Sequence, residues 1–158
     1  MCSCAGITGA RRPPDILHVS LQQVDGRLGR APRSLLQEID AALNMIRFPG
    51  FDILFDRALT FRSTASAAPF VLAGEDGVLD TMALQKFVQM ALEIRNIAKP
   101  IRRAFTAHAT IAYDVRRCPE MRIAPLSWRV SEIELIESWT GKTKYVQLGR
   151  WPLLERVS

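Results

Sequence analysis

The chain is short of cysteine, and what little it has is poorly placed for cross-linking. Of three cysteines in 158 residues, Cys2 and Cys4 crowd one end and Cys118 stands alone. An odd number at such spacing excludes a disulfide framework and a four-ligand metal site, and leaves reduced thiols. No stretch reaches the roughly 18 apolar residues of a membrane helix, and the first twenty residues lack the charged-then-apolar order of a secretion signal. A soluble, cytoplasmic protein with no membrane partner is expected. A long basic tail is also missing. The 21 Lys and Arg outnumber the 16 Asp and Glu by only five, in short pairs such as Arg11-Arg12, Arg102-Arg103 and Arg116-Arg117. That balance excludes a coat for duplex nucleic acid and leaves room for a local anion site. With 48% apolar and 23% charged residues, the composition is that of a folded domain.

Residues 1–14 are small, polar and proline-ended, so they read as a flexible lead-in to a single domain over 15–158. Ile16 to Leu21 alternates and is bounded by Asp25-Gly26, which predicts a strand with Leu17, Val19 and Leu21 on one face. From Pro32, apolar residues at Leu35, Leu36, Ile39, Leu43 and Ile46 predict an amphipathic helix that Pro49-Gly50 stops. Phe51 to Phe61 and Pro69 to Ala73 read as neighbouring strands joined by a loop. Leu79 to Ile94 steps by three and four and predicts a second helix, ending before Pro100. Phe105 to Asp114, Trp128 to Ser138 and Lys144 to Leu148 read as strands. Strands outnumber helices and adjacent ones can pair antiparallel, so the fold class is α+β, with helices packed on antiparallel sheet.

Histidine is scarcer still. The only two, His18 and His108, are ninety residues apart, yet each opens the same pattern in a strand-like run. Leu17-His18-Val19-Ser20-Leu21 and Ala107-His108-Ala109-Thr110-Ile111 both read His-x-(Ser/Thr)-apolar. In a strand, residues i and i+2 share a face, so His18 stands beside Ser20 and His108 beside Thr110. One such motif is most often structural. Two copies that use every histidine in the chain point to chemistry. Imidazole, with an ordinary pKa near 6.5, can serve either as base or as acid at neutral pH, and hydroxyls can hold phosphoryl oxygens. A phosphodiester or cyclic phosphate suits this set, and it needs no metal or cofactor. Tyr113 falls on the face opposite His108 by simple alternation, unless a bulge intervenes, and the tryptophans read as packing anchors. Arg62, Arg116 and Arg117 read as solvated.

These motifs resemble the two-histidine (2H) phosphoesterase superfamily, specifically its bacterial LigT-like 2′-5′ RNA ligase and 2′,3′-cyclic phosphodiesterase branch. The matching residues are His18 to Leu21, Phe105 to Asp114, and the closing Ile136-Glu137-Ser138 to Leu148-Gly149-Arg150-Trp151-Pro152-Leu153. The resemblance spans about residues 15–153. It implies two pseudo-symmetric lobes of antiparallel sheet with helices outside, each lobe giving one His-x-(Ser/Thr) strand to a cleft. The first lobe would lack its N-terminal strand and helix. It further implies hydrolysis of an RNA or nucleotide 2′,3′-cyclic phosphate to a 2′-phosphate, with reversible 2′-5′ RNA joining in some members. Carried onto this chain, His18 and His108 are the acid/base pair, with His108 the favoured base, and Ser20 and Thr110 hold phosphate. Ala107 stands where proline is usual, and Ser20 where threonine is commoner. The alternative is an RNA-binding module whose shortened first lobe weakens or prevents turnover, and a second copy of the chain is a candidate cover for that lobe.

Overall fold

The computed structural model describes residues 7–24, 31–98, 104–139 and 144–155. Its elements are β1 (Ala10–Arg11), a 3-10 turn at Pro14–Ile16, α1 (Arg33–Leu43), β2 (Phe51–Thr60), β3 (Ala68–Ala73), a 3-10 turn at Asp76–Val78, α2 (Leu79–Ile94), β4 (His108–Asp114), β5 (Met121–Val130), β6 (Glu132–Trp139) and β7 (Lys144–Pro152). Five strands form one sheet in the order β1-β4-β3-β2-β5, and β6 and β7 form a second. This is the α+β class expected. No described helix is long and apolar enough to cross a membrane. The expected turn at Asp25-Gly26, the helix stop at Pro100 and the Arg102-Arg103 pair lie outside the described residues, as do Cys2 and Cys4.

Two compact units divide the chain. The first takes Met1–Ser20, Leu54–Leu79 and Thr106–Ser127, the second Leu21–Ile53, Asp80–Phe105 and Trp128–Ser158. In the first, Ala58, Leu72 and Ala109 stack as one buried row across β2, β3 and β4, because directly paired residues share a face. In the second, Ile39, Ala42 and Leu43 of α1 are buried, as are Leu84, Val88 and Leu92 of α2. Phe51 and Ile53, alternating with exposed Asp52, bury the inward side of β2.

Several boundaries differ from the sequence pattern for identifiable reasons. The strand expected over Ile16 to Leu21 is reduced to one bridge, Val19 with Ala109. The two prolines before it favour a turn, and the Pro13 and Pro14 carbonyls accept the N–H groups of Ile16 and Leu17 at 3.2 and 3.1 Å. Part of the lead-in is ordered. β1 pairs Ala10 with Tyr113 and Arg11 with Ala112. Gly9 permits this approach, since a Cβ there would lie 1.9 Å from the Tyr113 carbonyl oxygen. α1 stops at Leu43 rather than near Ile46, as Met45 and Ile46 donate to Ala42 and Leu43 and tighten the last turn to 3-10 geometry. α2 closes on Asn96, whose φ of 56° is left-handed. There the N–H groups of Asn96 and Ile97 return to Glu93 and Leu92, both at 2.9 Å, as a Schellman cap. β5 is mostly outside the sequence pattern, since the strand expected over Trp128 to Ser138 covers only its last three residues and most of β6. It lies at a sheet edge, where Pro125 is tolerated, and its mostly exposed side chains give no apolar period.

Candidate active site

Both histidines belong to the first unit, and one backbone feature relates them. The antiparallel bridge sets Val19 against Ala109. Val19 is half-buried and Ala109 fully buried, so this pair faces inward. Continued one residue to either side, that antiparallel register would turn the four candidate side chains to the opposite face, with His18 across from Thr110 and Ser20 across from His108. Facing residues of such a pair stand about 5 Å apart at Cβ, and diagonal ones about 7–8 Å. In that register each imidazole would stand beside the other motif's hydroxyl and diagonal to the other imidazole. His18, His108 and Thr110 are half-buried and Ser20 is exposed.

The rings are held alike. His18 Nδ1 lies 2.9 Å from the Ile16 carbonyl oxygen, and His108 Nδ1 lies 2.7 Å from that of Thr106. A carbonyl has no proton to give, so in each ring Nδ1–H is the donor, and the neutral imidazole carries its lone pair on Nε2. Two residues back along the chain, the same contact fixes the same tautomer in both motifs. Phe61 adds a second contact to His108, with ring centroids 4.7 Å apart and planes inclined by 59°.

A bulge enlarges this face. Val71 pairs with Thr110 but Phe70 pairs with Ala112, so Ile111 is an extra residue in β4. Ala73, Val71 and Pro69 alternate onto one face of β3, and their partners are His108, Thr110 and Tyr113. Tyr113 therefore lies on the same face as His108, not the opposite one that uninterrupted alternation assigns. Arg12, one residue past β1, sets its guanidinium 5.4 Å from the centre of the Tyr113 ring. Neither partner was a site candidate from sequence, because the bulge and the pairing of β1 leave no local signal.

Other charged groups have structural tasks. Arg57 pairs with Ala73, itself paired with His108, but its guanidinium is engaged by Glu75, Glu120 and Asp56. The hydrogen bond to Glu75 is the largest reason that its pKa is raised. Arg117 donates to the carbonyls of Ala65 and Ser63 at 3.1 and 3.5 Å, so it braces the β2–β3 loop. Asp114 accepts the backbone N–H of Arg116 at 2.8 Å and those of Thr8 and Gly9 at 2.7 Å each. The Arg116 bond is the largest cause that holds its carboxyl below the ordinary range, and desolvation opposes it. A lowered folded pKa stabilises the fold above the unfolded value of about 3.9, and the gain is lost as pH falls through the folded value. Asp114→Asn is thus expected to unfold at lower urea concentration than the wild type at pH 7, with the two midpoints converging as pH falls below the ordinary carboxylate range. An equal gap at pH 7 and below that range would refute the assignment.

No model of a protein family matches the sequence, and no curated protein matches it. Solved structures do. Escherichia coli LigT complexed with 3′-AMP superposes with a TM-score of 0.69 at 22% identity, over 92% of this chain and 81% of that one. A crystal structure described as a phosphoesterase gives 0.68 at 22% identity, with the same coverage of both chains. TT0787 of Thermus thermophilus gives 0.67 at 19%, over 93% of this chain and 83% of that one. The chain has the LigT-like fold.

Proposed function

We propose that the chain is a 2H phosphoesterase that opens 2′,3′-cyclic phosphates at RNA ends or on nucleotides, leaving a 2′-phosphate, without a metal. The observation that carries this reading is the matched pair of imidazoles, each with Nδ1 on the carbonyl two residues back, on segments joined by the bridge between Val19 and Ala109. In the reaction, Nε2 of His108 takes a proton from water as the water oxygen attacks phosphorus. The P–O3′ bond breaks, and His18, protonated at Nε2, gives its proton to the departing 3′ oxygen. Ser20 and Thr110 donate hydrogen bonds to the non-bridging oxygens as their charge grows.

A ribose 5′-hydroxyl in place of that water forms a 2′-5′ linkage by the same proton transfers, which is the joining reaction. Arg12 and Tyr113 would receive the rest of a nucleotide, one as a cation and the other as a flat ring. LigT has been crystallised with 3′-AMP, NADP+, ATP and phosphate, which supports a nucleotide ligand for this fold.

The test is to incubate the protein with a nucleoside 2′,3′-cyclic phosphate in EDTA and identify the product by phosphorus NMR. A 2′-phosphate is expected, at a rate that EDTA leaves unchanged. A 3′-phosphate would reverse which bond breaks, loss of turnover in EDTA would restore a metal, and an inert protein would favour the RNA-binding alternative.

A further inference from the structure

We propose that Phe61 is a positioning residue for His108, and that Arg117 sets its position from behind; the catalytic part of this inference rests on the phosphoesterase reading. The hydrogen bond from Nδ1 to Thr106 holds one edge of the His108 ring. A single bond at an edge leaves the ring free to swing about it, and each swing re-aims Nε2. Phe61 closes that freedom, because its ring lies against the imidazole at 4.7 Å and 59°. The two contacts differ in kind, a hydrogen bond at Nδ1 and a tilted ring contact at 59°, and together they restrict the swing of the ring.

Phe61 can do this only if its own backbone is fixed, and it is fixed on both sides. Just before it, the N–H of Thr60 donates to the Cys118 carbonyl at 3.0 Å, and Thr60 Oγ1 accepts the Cys118 N–H at 2.9 Å. Its own N–H donates to the Pro69 carbonyl at 3.0 Å. Just beyond it, Arg117 grips the carbonyls of Ser63 and Ala65, while Ser63 Oγ accepts the Ala65 N–H at 3.1 Å. The segment after β4 thus holds the loop after β2, and that loop carries the ring that holds the first residue of β4. None of these contacts is made to His18, which serves as an internal control.

Two readouts test the idea. Nitrogen-15 spectra of the imidazoles are expected to show His108 as the Nδ1–H tautomer in the wild type, and to move toward a mixture of tautomers in Phe61→Leu while His18 stays put. Kinetically, Phe61→Leu is expected to lower kcat between about tenfold and a hundredfold, the scale of a misplaced catalytic group, with KM within twofold, and Phe61→Tyr to restore most of it. Arg117→Gln should lower kcat in the same sense by less. If the Leu variant does not fold, Phe61→Met, which keeps the bulk without the flat face, takes its place. Unchanged His108 resonances would overturn the inference. So would a rise in KM at constant kcat, which would make Phe61 a support for substrate. The spectra need no turnover, so an inert wild type with a shifted His108 would sink the enzymatic reading and leave this one standing.

Discussion

Alanine at either His18 or His108 is expected to lower hydrolysis of a nucleoside 2′,3′-cyclic phosphate by about 10²–10⁴-fold, the usual worth of a positioned acid or base. The two losses should not multiply. Once one proton transfer is missing, the other imidazole acts on a step that no longer limits in the same way, and the double variant should fall within about tenfold of the worse single one. Neither ring is fully buried, so the folded state should survive with an unchanged far-ultraviolet spectrum. Ser20→Ala and Thr110→Ala each remove one hydrogen bond to the phosphoryl group and should cost about tenfold, as a charge-assisted bond of roughly 1.5 kcal/mol implies. A single histidine variant that keeps full activity would dissolve the idea of a pair, and multiplying losses would make the two residues independent.

The largest effect on stability is expected at Trp151. Its side chain is 6% exposed, and its indole Nε1–H donates to Asp40 Oδ1 of α1 at 3.0 Å. Gly149, two residues earlier on the same face of β7, leaves room for the ring, since a Cβ there would lie 2.4 Å from the indole Cη2. Trp151→Ala should cost about 3–5 kcal/mol. Trp151→Phe keeps much of the packing but loses the bond to Asp40, and should cost nearer to about 1–2 kcal/mol. Gly149→Ala should destabilise in the same direction by displacing the ring. Urea denaturation of the three variants measures this ranking, and a cost below about 1 kcal/mol for Trp151→Ala would show that the indole is not an anchor.

The closing Gly149-Arg150-Trp151-Pro152-Leu153 run was readable from sequence as part of a resemblance, and the structure gives it a physical sense. The glycine admits the indole, Arg150 pairs with Glu132 and Glu134 at 3.3 Å each, and the Leu153 N–H returns to Ser131. The two histidine motifs were legible for a similar reason, since chemistry and alternation mark them at close range. Arg12, Phe61 and Tyr113 were not. Arg12 and Tyr113 meet because of the extra residue Ile111 and the pairing of β1 with β4, and Phe61 meets His108 from a loop far away in sequence. A period of two cannot announce its own interruption. The first strand misled for the opposite reason, because Ile16 to Leu21 alternates like a strand while Pro13 and Pro14 divert its hydrogen bonds into a turn.

The bridge between Val19 and Ala109 also divides the proposed pair by stiffness. His108 begins a strand laddered to β3 over six residue pairs, whereas among the described residues the His18 segment meets β4 through that single bridge. Amides along β4 should therefore exchange with solvent only on wide opening, and those around Val19 should exchange through small local openings. One member of the pair is a fixture and the other is hung beside it. A ligand that bridges both would tighten the hung member most, so added phosphate should slow exchange at Val19 far more than at Ala109.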